Sequence, residues 1–416
     1  MLSATRAGHL LAALSLFAMT ACTTAPGRHL IGDPENPYPL SAAPKLGDIV
    51  HLPTGTLVTP QQMNAIAADA RVVYVGETHD NPASHRLELE TLKAMEERHP
   101  GQVALGMEMF TRSQQPALDR WVAGELDEKS FLKTSRWYDN WKMDFAYYRD
   151  LLLLAKERRI PVIALNAEKS MVQAVRSKTL EELTPEEKAQ LPELDLSDPY
   201  QRAQTESIFG GHTHGKIPME GFLRAQTLWD ETMADSAARY LKSPEGKDRH
   251  LLIVAGGNHI SYGFGIPRRV FRRLPTSYVL IGGREVVISR ETEPVTMKVD
   301  LPDFPTVPFD FLVHYAYEGL PEGMLLGVMY EPDKDKRGLV VGNVLPDSNA
   351  ERAGVKKGDL LLSMDGEPLT DSIDLVYAVK KKQPEDRGTL KVERQGEVLT
   401  LEVIFKKGEP APHGKP

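Results

Sequence analysis

The chain has 416 residues, 41% hydrophobic and 26% charged, the balance of a soluble globular protein long enough for two or three domains. Its formal net charge of −8, with acidic and basic residues mixed along the chain, argues against a generally basic nucleic-acid-binding surface. A single cysteine, Cys22, excludes an intrachain disulfide. At the N-terminus, Arg6 and His9 precede an apolar run, Leu10 to Met19, and then Thr20, Ala21 and Cys22. A positive start, a short apolar core and small residues make residues 1–21 an export signal, too short to span a bilayer comfortably.

Cys22 directly after Met-Thr-Ala resembles a bacterial lipobox, which implies a lipidated Cys22 at the mature N-terminus and attachment to a membrane. Thr23 at the next position, by the same resemblance, implies the periplasmic face of a Gram-negative outer membrane. Residues 22–48, rich in Pro, Gly and Ala, read as a tether.

Residues 49–296 alternate between strand-like and helical patterns. Apolar runs at Val72–Val75, Val103–Met107, Pro161–Leu165, Leu251–Ala255 and Tyr278–Ile281 are separated by helical stretches at Ala83–Arg98, Gln114–Ala123, Phe145–Arg159 and Phe222–Leu241. The expected fold is α/β, a mainly parallel sheet with helices on both faces.

In such sheets ligands bind beyond the carboxyl ends of the strands. Glu77 and His79 follow the first run, Glu108 the second, Asn166 and Glu168 the third, Asn258 and His259 the fourth. Both histidines sit in G-x-x-H, Gly76–His79 and Gly256–His259. If the strands are parallel neighbours, this polar set lines one crevice, with His85 one or two turns into the next helix. Glu77, His79, His85, Glu108, Asn258 and His259 are the candidate ligands of a divalent first-row metal. Glu77, His79, Glu108 and His259 are the catalytic set if the crevice hydrolyses a substrate. The alternative is a structural network of Glu–His pairs.

Residues 297–310, with three prolines, read as a linker, and residues 311–406 as a second domain of short strands, turn glycines and one helix near Ser372–Lys382. The run Val344–Gly366, "VLPDSNAERAGVKKGDLLLSMDG", resembles the PDZ family, a small β-rich α+β fold. That resemblance makes Leu326, Gly327 and Val328 the loop that receives a peptide carboxylate, and implies a protein C-terminus as partner. A PDZ scaffold whose first domain is inert is one alternative function. Residues 407–416 read as a disordered tail.

The segments "VVYVGETHDNPASH", "LGMEMF", "ALNA", "FLRAQTLWDETMA" and "AGGNHISYGFGIP" resemble the ChaN family of haem-binding lipoproteins, within a superfamily of Tiki, TraB and erythromycin-esterase-like proteins. The resemblance covers about residues 60–290. It implies non-covalent haem or a related iron ligand, a role in iron uptake and a homodimer. Through the Tiki-like members it also implies metal-dependent hydrolysis as the alternative. It directs attention to residues 177–221, a long charged excursion holding Tyr200, His212 and His214, the candidate haem-iron ligands. Arg136–Pro161, rich in aromatics, reads as an amphipathic helix entering the core.

Overall fold

The structure, a computed structural model, describes residues 32–33, 37–210, 218–286, 301–321, 323–335 and 337–407. Among the described residues eight strands form the first sheet: β1 (Ile49–His51), β2 (Thr56–Val58), β3 (Val72–Glu77), β4 (Val103–Thr111), β5 (Val162–Asn166), β6 (His250–Gly256), β7 (Tyr278–Glu285) and β8 (Phe311–Tyr315). Their order is β2-β1-β8-β7-β3-β6-β4-β5. From β8 to β5 every neighbour is parallel, whereas β1 pairs antiparallel with both β8 and β2. Both faces are covered. Val73, Val75, Leu105 and Met107 point to one apolar cluster, and Val72, Tyr74, Ala104 and Ile253 to another. The central strands are therefore apolar without alternation, as a sheet buried on both sides requires.

All five expected strands and four expected helices are present. The helices run Pro82–Arg98, Gln115–Val122, Arg149–Arg158 and Met219–Lys242. A 3-10 turn, Phe145–Tyr147, precedes the third, so Tyr148 stands at a bend instead of inside a continuous helix. Over residues 177–210 the excursion is more ordered than its sequence suggests, with helices Pro185–Gln190 and Pro199–Gly210. His212, His214 and Cys22 lie outside the described residues.

Three boundaries read from sequence shift. Phe311–Tyr315, placed at the start of the second domain, completes the first sheet between β7 and β1. Its burial on both sides comes from partners remote in sequence, which local pattern does not reveal. The described part of the linker packs as well: Phe304 is buried against Tyr262 and Phe264, and Tyr262 N–H donates to the Pro308 carbonyl at 2.8 Å. The end of the tether is also fixed, since Gly47 N–H donates to the His314 carbonyl at 2.8 Å.

The second sheet runs β14 (Glu397–Ile404), β13 (Arg387–Arg394), β11 (Leu360–Met364), β10 (Leu339–Val344), β9 (Val328–Pro332), with β12 (Glu367–Pro368) paired to β11. All these pairs are antiparallel. The helix Ser372–Lys380 starts at Asp371, whose side chain accepts from Asp374 N–H at 3.0 Å. Among the described residues no helix is long and apolar enough to cross a membrane.

Candidate functional site

β4, β6 and β3 are consecutive in the sheet; β3 and β6 stop at Glu77 and Gly256, while β4 carries Glu108 and runs on to Thr111. Register pairs Glu77 with Gly256 and Met107 with Val254, so Glu77, Glu108 and the turn after β6 share one edge. The chain leaves β3 through Thr78, whose N–H donates to Ser84 Oγ at 3.1 Å. Asn81 then caps the helix Pro82–Arg98 by accepting from Ala83 N–H at 3.0 Å, with Pro82 in the first turn. Asn81 is wholly buried and donates to Glu285 at 2.9 Å. These bonds hold His79 at the mouth of the crevice.

The two G-x-x-H histidines are built alike. His79 Nδ1 hydrogen-bonds to Glu77 Oε1, and His259 Nδ1 to Asp230 Oδ1 at 2.6 Å. His259 Nε2 lies 3.5 Å from Glu108 Oε1, while Glu108 Oε2 accepts from Gly256 N–H at 2.7 Å. A side chain at Gly256 would come within 3.1 Å of His79 Nε2 and 3.6 Å of Glu108 Oε2. The glycine thus lets the side chains of His79 and Glu108, from separate segments, converge beside bare backbone. Burial alone would push both imidazoles down; facing carboxylates outweigh it and raise each to about 9, Glu77 acting on His79 and Glu108 with Asp230 on His259. For Glu77, burial with Glu88 close by pushes the carboxyl up, to about 7.

The aromatic segment enters the core and also walls the crevice. Trp137 and Phe145 are buried together, and the Trp141 ring meets His79 edge-on at 5.0 Å. Tyr148 donates its hydroxyl to Glu77 Oε1 at 2.7 Å and receives Trp141 Nε1–H at 3.1 Å.

Of the expected set, Glu77, His79, Glu108 and His259 meet at the strand ends. His85 lies behind them: it is buried, 3.2 Å from Glu88 Oε2 and 3.6 Å from Glu77 Oε2, with Nε2 at 3.1 Å from the His79 carbonyl. Burial lowers its pKa. Asn258 is exposed and makes no hydrogen bond to the set, because the short helix Gly257–Ile260 turns it outward. Asn166 supports the site from beneath, donating to the Glu108 carbonyl at 2.9 Å. Glu168 instead accepts from Ser113 N–H at 2.9 Å.

Asp230, Tyr148 and Glu88 were not anticipated. Asp230 and Glu231 are adjacent acids in the long helix Met219–Lys242, buried between Leu228 and Met233. Two consecutive acids amid an apolar helical stretch are the available signal. Glu88 stands at i+3 from His85, a spacing that shares one helix face.

A second feature lies on the Pro199–Gly210 helix. Tyr200, 46% exposed, stacks on Phe264 with ring centres 5.2 Å apart, beside Phe304. Its hydroxyl has no hydrogen-bond partner among the described residues. The next residue, Gln201, donates to Asp230 Oδ2 at 2.6 Å, tying this helix to the crevice.

In the second domain Gly327 has φ of +84°, and a side chain there would strike Ser348, so only glycine fits this loop. Leu326, Gly327 and Val328 line a groove of about 750 Å³ beside the Ser372–Lys380 helix. Leu132, Phe145 and Arg149 of the first domain form its far wall. Lys129 and Lys133 pair with buried Asp374 at 2.8 and 2.6 Å, fixing the groove helix against the first domain. Burial would raise the Asp374 carboxyl, but the two lysines hold it well below the usual carboxylate range.

Comparison with known proteins agrees with this division. A family model described as "Haem-binding uptake, Tiki superfamily, ChaN" matches residues 63–270, half of the chain, and a PDZ-domain model matches 325–405. The solved structure "Cofacial heme binding to ChaN of Campylobacter jejuni" aligns over 66% of this chain and 97% of its own, with a TM-score of 0.50 and 15% identity, a likeness of fold alone. Curated relatives include a probable periplasmic serine endoprotease DegP-like from Marinomonas sp. (strain MWYL1), 38% identical over 69 residues, covering 17% of this chain and 15% of that protein. Another is the regulator of sigma-E protease RseP of Escherichia coli (strain K12), 34% identical over 93 residues, covering 22% and 20%. The chain spans a fifth or less of the length of the curated relatives it matches. With the fold, the paired G-x-x-H crevice and the family match in agreement, this chain belongs to the ChaN haem-binding uptake family of the Tiki superfamily and carries a C-terminal PDZ domain.

Proposed function

We propose that the protein binds haem non-covalently on the face around Tyr200 and serves iron or haem uptake. The carrying observation is the exposed Tyr200 phenol, free of partners among the described residues and stacked in an aromatic patch. Tyrosinate is an established axial ligand of haem iron, and the stack on buried Phe264 holds the exposed Tyr200 ring in place. Bound haem would supply the iron; the chain's part is to offer the phenol, cover the ring and hold the helix in place through Gln201 and Asp230. His212 and His214 are the companion candidates by sequence. Lipidation at Cys22 would keep the protein at the periplasmic face of the outer membrane, where a homodimer could pair two such faces. The PDZ groove would take the C-terminus of a partner, added as a strand along β9.

Haemin titration tests this reading. The wild type should give a saturable Soret shift, weakened by Tyr200→Phe and further by His212→Ala with His214→Ala. The absence of a shift at stoichiometric protein would remove it.

A second reading, a metal-dependent hydrolase, is favoured by one observation. Each crevice histidine is held through Nδ1 by a carboxylate, the second-shell arrangement that turns Nε2 toward a metal. Glu108 stands between them. Hydrolysis of a peptide or ester that requires Mn²⁺, Co²⁺ or Zn²⁺ and vanishes in His259→Ala would support it. Activity unchanged by that substitution would end it.

A further inference from the structure

We propose that Glu77, His85 and Glu88 form a buried binding site for a divalent first-row transition cation, behind the crevice and independent of haem.

The first argument is a tautomer. His85 Nε2 lies 3.1 Å from the His79 carbonyl oxygen. A carbonyl only accepts, so Nε2 carries the hydrogen; burial favours the neutral ring, which then keeps its lone pair on Nδ1. That lone pair faces Glu88 Oε2 at 3.2 Å and Glu77 Oε2 at 3.6 Å, and both are acceptors.

The second argument is a missing donor. Glu77 Oε1 receives both the Tyr148 hydroxyl and the His79 Nδ1–H, leaving Oε2 with no donor among the described residues. Glu88 Oε1 is equally unpartnered. Glu77 is 5% exposed and Glu88 wholly buried, so water does not readily compensate. Among the described residues neither carboxylate pairs with a lysine or an arginine.

Three atoms, one from each residue, therefore lie within 4.8 Å of one another, and while the ring is neutral none of the three donates to the others. A single proton joins two acceptors and leaves the third. A cation satisfies all three at once. One imidazole nitrogen with two carboxylate oxygens suits Mn²⁺, Fe²⁺ or Zn²⁺ better than Mg²⁺ or Ca²⁺, which prefer oxygen alone. The site differs from the crevice in its atoms: Glu77 Oε1 orients His79, whereas Glu77 Oε2 faces His85 and Glu88. Cation binding here would fix the Glu77 side chain and, through it, the position of His79.

The test uses the full chain, stripped with chelator, loaded with Mn²⁺ or Zn²⁺ and desalted. Elemental analysis should find one equivalent per chain. Glu88→Gln and His85→Gln should each weaken binding by at least ~10-fold, the least that altering a site's supporting shell costs. Glu90→Gln, an exposed acid on the same helix, should leave it unchanged. Infrared spectra provide a readout that does not depend on a variant folding: a protonated-carboxyl band in stripped wild type should disappear on adding metal. A band that persists in millimolar Mn²⁺ or Zn²⁺ means that a proton holds the pair, and overturns the proposal. So does metal binding that Glu88→Gln leaves intact in a folded protein.

Discussion

Glu231→Ala should destabilise the first domain by about 3–5 kcal/mol, the usual cost of breaking a buried ion pair from one side. Glu231 and Arg269 are both wholly buried, with Arg269 Nε 3.1 Å from Glu231 Oε1. Arg272 and Arg273 reach the same carboxylate at 3.1 and 2.7 Å, and Asp195 N–H donates to it at 3.1 Å. Removing it strands a guanidinium in the interior and frees the segment leading into the Tyr200 helix. All four tryptophans, Trp121, Trp137, Trp141 and Trp229, lie in the first domain, so fluorescence during urea unfolding reports that domain alone. Haem affinity should fall with stability, because Arg269 also donates to Gln201. The double substitution Glu231→Leu with Arg269→Met should recover most of the loss, since well-packed apolar residues often replace a buried pair at little cost. A loss below about 1 kcal/mol in Glu231→Ala would mean that the pair contributes little.

The second expectation concerns pH, in chelator-treated protein. His259 is raised from 6.5 to about 9: burial opposes the shift, and Glu108 and Asp230 outweigh it. For a group raised on folding, the stabilisation is complete below the unfolded pKa and is lost as pH climbs through the folded one. The His259 contribution should therefore be present at pH 6 and gone above about pH 9. Its full size is on the order of 3 kcal/mol, from 1.36 kcal/mol per unit. His79 has the same sign but a side chain 39% exposed, so solvent screening makes its share smaller. Glu77 and Glu88, both pushed up to about 7, lose stabilisation mainly between pH 4.5 and 7, which leaves the range from 7 to 9 to the histidines. Asp230→Asn keeps the shape and removes the charge, and should flatten the decline in that range. Stability that rises or stays level from pH 7 to 9 in the wild type would refute the assignment.

Much of this was legible in the linear sequence because the signals are local. Val72–Val75 and Leu251–Ala255 are apolar on every residue, which only a doubly covered parallel strand tolerates. The glycines at the ends of both apolar runs, Gly76 and Gly256, mark where side chains must approach backbone, as His79 does at Gly256. The Val344–Gly366 run carries the PDZ turns in order.

What sequence pattern did not reveal depends on contacts between distant segments. Asp230 is one acid among many until the long helix lays it 2.6 Å from His259. His85 and Asn258 were grouped with the crevice because they follow the strands closely. The rotation of one helix buries the first behind Glu77, and a short turn exposes the second. Local pattern was enough for the presence of two domains, the strands of the first sheet's parallel centre and the pair of G-x-x-H elements, since periodicity and turn chemistry act over a few residues. The tertiary structure alone decided which carboxylate each histidine holds, where Tyr148 donates and that the PDZ groove is walled by the first domain. Hydrogen bonds act over about 3 Å, and only the folded chain brings residues so far apart in sequence within that distance.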